Sequence, residues 1–199
     1  MQNRLFIFDL DGTLLNTIGD LATACDHMLA LRGLPQHTYE EYCSFVGNGI
    51  MRLVERALPE ELRTAEYVAE ARKDFVDFYI EHIDHKTVPY EGMVELLGDL
   101  QRDGARLAVA SNKFQAGNRE GVPLKPDTAL VDMIIAKAGV ERKACTMVGD
   151  SGVDMQTAHN AGIRSVGVSW GFRSRKELEQ LSPDAIADNI KELREILYQ

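Results

Sequence analysis

The sequence has no apolar run approaching the ~18 residues that a membrane span requires, so a transmembrane segment is excluded. It is short of positive charge, with 22 Lys and Arg against 31 Asp and Glu and a formal net charge of -9. A chain this acidic is unsuited to holding a nucleic-acid backbone, where phosphate neutralisation dominates affinity. A small anionic ligand would need concentrated local positive charge. Cysteine is scarce too. Cys25, Cys43 and Cys145 are odd in number and far apart, without the paired spacing of a metal site. They are expected to be reduced, mostly packed thiols in a cytoplasmic protein. The stretch from Met1 to Asp9 is too briefly apolar for a secretory signal. There is no internal repeat and no low-complexity tract. What is present is a normal apolar content of 45%, enough to exclude disorder as the main state. The length of 199 residues predicts one domain, or one plus a modest insertion.

Four short apolar runs read as strands: Leu5 to Phe8, Arg106 to Ala110, Cys145 to Val148 and Ser165 to Val168. The first three stop abruptly at Asp9, at Ser111-Asn112 and at Gly149-Asp150. Helical patterns lie between or beside them, over Met93 to Arg102, Thr128 to Ala138 and Met155 to Ala161. Strands alternating with helices predict an α/β fold, a Rossmann-like parallel sheet with helices on both faces. Ligands of such sheets bind at the carboxyl ends of the strands, where Asp9, Ser111 and Asp150 would sit. Residues 15–85 break the rhythm with four helical patterns and no convincing strand. They predict an all-helical cap domain, residues 15–88, inserted after the first strand of a core made of 1–14 and 89–199. A last amphipathic helix is expected over Ala187 to Leu197, with Leu193, Ile196 and Leu197 facing inward.

Asp9 and Asp11 stand two apart, so in an extended segment their side chains point the same way. Two such carboxylates on an apolar backing are costly to ionise unless a cation lies between them. Mg²⁺, which is hard and oxygen-seeking, is the natural choice. Alone, the pair is equally a solvated turn. Asp150 and Asp154 add two carboxylates after another buried strand, Ser111 a hydroxyl and Lys125 a cation. Each has an ordinary reading as a turn, cap or surface residue; their conjunction at the ends of separate strands points to chemistry. In the helical segment, Phe45-Val-Gly-Asn-Gly49 is a candidate specificity loop, in which Gly47 and Gly49 let backbone approach a ligand. Arg52 is a candidate partner for a substrate carboxylate, though an exposed arginine is the commoner role. The five histidines are read as structural or solvated.

Asp9-Leu-Asp11-Gly-Thr13, Ser111-Asn112-Lys113, Lys125-Pro126 and Gly149-Asp150-Ser-Gly-Val-Asp154 together resemble the four motifs of the haloacid dehalogenase-like phosphatases. The resemblance covers essentially the whole chain. Phe45 to Gly49 and Val168-Ser-Trp-Gly-Phe172 are similar to segments of the phosphoglycolate phosphatases within that superfamily. The resemblance implies a Mg²⁺-dependent enzyme that hydrolyses a small phosphate monoester, 2-phosphoglycolate first. It assigns Asp9 as nucleophile, Asp11 as acid and base, and Ser111 and Lys125 as phosphoryl-binding groups. Asp9, Asp150 and the Asp11 carbonyl become metal ligands, with Asp154 in support. Thr13, Asn112, Gly47, Asn48, Gly49 and Arg52 are expected to meet the substrate. The implied partner is a small phosphorylated metabolite, with no nucleic acid and no membrane, and the protein is a monomer or homodimer. Two alternatives stay open: a phosphosugar mutase of the same superfamily, and a catalytically silent binding protein on this fold.

One interval departs from the family. Only residues 112–124 separate Ser111 from Lys125, too few for the helix and strand the family carries there. Either the segment is genuinely deleted, or a stretch is missing from the chain as written. Gly117-Asn-Arg-Glu-Gly121 reads as the loop after the absent strand and favours the second; a break in Cα spacing between Phe114 and Gly121 would mark it. By family topology the lost strand is the sheet edge beside the Ser111 strand, which would leave a bare edge.

Overall fold

A computed structural model describes residue 1 and residues 3–113 and 122–199. The elements in chain order are β1 (Leu5–Phe8), β2 (Leu15–Asn16), α1 (Ile18–Ala30), α2 (Tyr39–Phe45), α3 (Ile50–Ala57), α4 (Ala65–His82), β3 (Val88–Pro89), α5 (Met93–Arg102), β4 (Arg106–Val109), α6 (Ala129–Ala138), β5 (Cys145–Gly149), α7 (Gly152–Ala161), β6 (Arg164–Val168), α8 (Arg175–Glu179), β7 (Ala185–Ala187) and α9 (Ile190–Tyr198). They form two compact units, Met1–Leu15 with Pro89–Gln199, and Asn16–Val88. The expected break between Phe114 and Gly121 falls outside the described residues.

The larger unit is a five-stranded parallel sheet in the order β4-β1-β5-β6-β7. Alternation along β1 splits its side chains between two layers. Phe6 and Phe8 pack with Met93, Leu96 and Leu100 of α5 and Leu193 and Leu197 of α9. Leu5 and Ile7 pack on the other face with Val131 and Ile135 of α6 and Ala158 and Ala161 of α7. Burial on both faces explains why β1 is an unbroken apolar run. β4 is an edge strand of this sheet, and its Val109 is 41% exposed.

Three sequence expectations are corrected. The sheet has a fifth strand, β7, where Ala187 was to begin the last helix. Its three residues are too few to show alternation; α9 starts at Ile190 because the Asn189 side chain caps it, accepting from Glu192 N at 3.0 Å. Leu193 and Leu197 are fully buried and the half-buried Ile196 packs against the same core, as expected. α7 begins at Gly152, a turn earlier than the apolar spacing from Met155 suggested. Residues 15–85, read as strand-free, include the two-residue β2, which pairs with β3.

The smaller unit is helical between β2 and β3. Leu21, Cys25, Met28 and Leu29 of α1, Tyr42 of α2, Leu53 and Val54 of α3, and Val68, Ala71, Phe75 and Tyr79 of α4 are all buried. Thr38 and Glu41 form a capping box on α2, and Thr64 caps α4. His27, Phe78 and His82 stack in a row, and His85, lying beyond the end of α4, meets His82 edge-on. Asp20, buried in the first turn of α1, gathers the segment that follows α4. Its carboxylate accepts from Lys86 N at 2.9 Å, Thr87 N at 2.8 Å and Thr87 Oγ1 at 2.7 Å. Asp20 is itself buried, and removing the shared acceptor of these charge-assisted bonds is expected to cost about 2 kcal/mol in Asp20→Ala. Asp20→Asn should cost less, and urea denaturation of both variants checks the order.

Candidate active site

Asp9, Ser111 and Asp150 follow β1, β4 and β5, so the parallel sheet brings all three to one edge. The ladder runs on past the strand ends. Asp9 N donates to Val148 O and Ala110 N to Phe8 O, both at 2.9 Å. These bonds fix where the first side chain beyond each strand emerges.

Asp9, Asp150 and Asp154 are buried, and one carboxylate oxygen from each lies within 4.8 Å of the others. Lys125 Nζ donates to Asp9 Oδ1 at 2.7 Å and to Asp154 Oδ1 at 2.6 Å. Asp154 Oδ2 also accepts from Ser151 N at 3.1 Å and Ser151 Oγ at 2.6 Å. Asp150 accepts from Phe172 N at 2.7 Å and, at 3.3 Å, from Thr13 Oγ1. Asn112 clamps the Lys125 main chain in both directions, accepting from Lys125 N at 2.8 Å and donating to Lys125 O at 3.1 Å. Ser111 is buried beside it, and its Oγ accepts from Lys113 N at 3.1 Å.

The Asp11 carboxylate does not join the cluster, contrary to the expectation of a cation held between the Asp9 and Asp11 side chains. It pairs instead with Lys113 Nζ at 2.7 Å, after the chain turns at Gly12 with φ 82°. Asp154 takes the third place, carried there by the first turn of α7. Lys113 stood within a quoted motif but had no role assigned to it; its sequence signal was its position directly after Ser111-Asn112.

Four carboxylates face two ammonium groups, so the cluster would carry net negative charge if every carboxyl were ionised. Burial, reinforced by Asp154, pushes Asp150 up to about 7. Asp9 is also held well above the usual carboxylate range by burial; Lys125 opposes the shift, while Asp154, Asp150 and Asp11 add to it. For Lys125, burial pulls the ammonium down, but Asp154 and Asp9 outweigh it and hold the group above the ordinary lysine range. An all-oxygen, buried donor set with uncompensated negative charge suits a hard divalent cation.

The helical unit carries the other predicted residues. Gly47 and Gly49 adopt φ of 116° and 81°, a region that favours glycine. Arg52 is exposed and pairs with Glu55 on its own helix. Arg56, which the sequence reading passed over, organises the loop by donating to Phe45 O at 2.8 Å and Asn48 Oδ1 at 2.9 Å.

Backbone crowds the acidic cluster. A Cβ on Gly171 would overlap Asp150 and the Gly12 carbonyl, and one on Gly149 would overlap Asp154. Gly171→Ala is expected to cost about 1–3 kcal/mol by overpacking and to lower divalent-cation affinity in calorimetry; wild-type affinity would contradict the placement of Asp150. The cluster also sets a pH response. Without a cation the native state keeps the Asp150 proton up to about pH 7, whereas the unfolded chain releases it near 3.8. The native state binds more protons in that window, so stability falls as pH rises through it. A cation that replaces the proton should stabilise most at and above about pH 7. Thermal melts across pH, with and without chelator, check both signs.

Comparison with known proteins agrees with this geometry. The haloacid dehalogenase-like hydrolase family matches residues 3–162. The chain is 33% identical to phosphoglycolate phosphatases of Agrobacterium fabrum (98% of this chain, 92% of the relative) and Pseudomonas putida (96% and 78%). The aligned stretches, 222 and 214 residues, exceed the 199 residues of this chain, so both relatives hold residues with no counterpart here. Among solved structures, a predicted phosphoglycolate phosphatase from Haemophilus somnus superposes with a TM-score of 0.90 at 28% identity, covering 98% of each chain. A Streptococcus pneumoniae haloacid dehalogenase-like protein shares the fold at 19% identity and a TM-score of 0.86, covering 98% of this chain and 97% of that one. The chain belongs to the haloacid dehalogenase-like hydrolase family and is a phosphoric monoester hydrolase.

Proposed function

We propose that the protein is a Mg²⁺-dependent phosphatase that hydrolyses 2-phosphoglycolate through a phosphoryl group carried on Asp9. The observation that carries this reading is the pair of hydrogen bonds from Lys125 Nζ to Asp9 and to Asp154, beside Asp150. A carboxylate held next to a fixed ammonium is positioned to approach an anionic phosphorus centre. The names of the relatives from A. fabrum and P. putida support the substrate. Cys25, Cys43 and Cys145 form no disulfide, which fits a reducing cytoplasm.

In the first half of the reaction, an Asp9 carboxylate oxygen attacks phosphorus and the ester P–O bond breaks. Asp11 gives its proton to the departing alkoxide. In the second half, Asp11 takes a proton from water as the water oxygen attacks the same phosphorus. The bond between Asp9 and phosphorus breaks with its electrons returning to the carboxylate, which releases inorganic phosphate and leaves Asp9 ionised and Asp11 protonated again. Ser111 Oγ and Lys125 Nζ hold the phosphoryl oxygens, and Asn112 keeps Lys125 in place. Asp9, Asp150 and the Asp11 carbonyl would hold Mg²⁺, with Asp154 in support. When bound, the ion supplies positive charge that offsets repulsion between Asp9 and the phosphate dianion. The helical unit is assigned the part of a lid that excludes water and contacts the leaving group, with Gly47, Asn48, Gly49 and Arg52 as its candidates.

Asp9→Asn is expected to lower kcat on 2-phosphoglycolate by about three orders of magnitude or more while the circular dichroism stays unchanged. Wild-type turnover in that variant, purified free of other phosphatases, would remove Asp9 from its role. Chelation should abolish turnover and Mg²⁺ restore it; activity that survives chelation contradicts the metal dependence.

A further inference from the structure

The mechanism above leaves one buried cation unused. Lys113 Nζ donates to Asp11 Oδ1 at 2.7 Å, and the lysine side chain is only 9% exposed. Its main chain is also held, since Lys113 N donates to Ser111 Oγ. An ammonium taken out of water is costly unless anions meet it. Lys125 faces the nucleophile, Asp9, and the metal cluster. Lys113 faces the group that protonates the leaving oxygen. The two ammonium groups therefore mark different ends of the scissile bond.

The distances define what lies beside Lys113. To transfer its proton, Asp11 must come within about 2.7 Å of the leaving oxygen. Lys113 is one hydrogen bond further, which puts Nζ no more than about 5.4 Å from that oxygen when Asp11 Oδ1 carries the proton. In the phosphate ester of a 2-hydroxy carboxylate, the carboxylate oxygens are three bonds from the leaving oxygen, about 3 Å away. Such a carboxylate reaches salt-bridge distance of Lys113 with no movement of the main chain. The site also needs this charge. A substrate with a third negative charge enters a pocket that already holds Asp9, Asp11, Asp150 and Asp154. Arg52, the sequence candidate for this task, is exposed and paired with Glu55.

We infer that Lys113 recognises the substrate carboxylate, through a salt bridge made beside Asp11, and selects phosphate esters of 2-hydroxy carboxylates over esters of neutral alcohols. This rests on the phosphoglycolate reading and deepens it.

The test compares kcat/KM on 2-phosphoglycolate with kcat/KM on 2-hydroxyethyl phosphate, which puts a neutral hydroxyl where the carboxylate stands. Wild type, Lys113→Met, Lys113→Gln and Lys113→Arg are measured with Mg²⁺ present. The ratio between substrates is the readout, so a general loss from a displaced Asp11 cancels. Lys113→Met and Lys113→Gln are expected to lose at least about tenfold more on 2-phosphoglycolate than on the neutral ester, and Lys113→Arg to keep part of the preference. Equal losses on the two esters would overturn the inference while leaving the proposed substrate intact. A wild type that turns over 2-hydroxyethyl phosphate as well as 2-phosphoglycolate would overturn the proposed substrate, and the inference with it.

Discussion

Carboxylates buried together repel one another, and the rest of this site is arranged around that repulsion. Asp9, Asp150 and Asp154 would each be stable in water. Placed within 4.8 Å of one another at the edge of a packed sheet, they leave Asp9 and Asp150 holding their protons above the usual carboxylate range. Lys125 relieves part of the load. A divalent cation would relieve more, and an incoming phosphate would use the same positive charge. Electrostatic tension among these carboxylates and affinity for metal and phosphoryl group are the same fact seen from two sides.

The parallel sheet makes this crowding achievable. Distant segments reach one edge because β1, β4 and β5 run side by side in the same direction. Lys125 comes from no strand among the described residues, and its placement depends on a local device. Asn112 grips its main chain through both amide groups, which ties the loop after β4 to the lysine directly. That clamp lets the short interval between Ser111 and Lys125 still deliver an ammonium to the cluster. The exposed flank of β4 remains, with Val109 open beside the strand end.

Legibility in the sequence followed burial. β1, β5 and β6 are buried along most of their length and read as apolar runs; the helices α1 to α5 carry regular 3.6-residue patterns. β7 was invisible because three residues, two of them alanine, carry no alternation, and its identity comes only from pairing with β6. The site motifs were legible as residue types, since acids that end apolar strands have few structural uses. Their partners were not. Whether Asp11 turns toward Asp9 or toward Lys113 depends on the Gly12 turn and on a lysine distant in the chain. The roles of Arg56 and Phe172 N likewise arise from loops folding back on themselves, which no local pattern encodes.

The central claim is that phosphorus is transferred to Asp9 before water takes it. Acid-quenching the Mg²⁺-loaded enzyme during turnover of 2-phosphoglycolate, then mapping the protein by peptide mass spectrometry, tests it directly. The account predicts a phosphate-sized mass increase on the peptide that contains Asp9 and none on the others. Turnover with every peptide unmodified, or with the added mass on a peptide lacking Asp9, would contradict it.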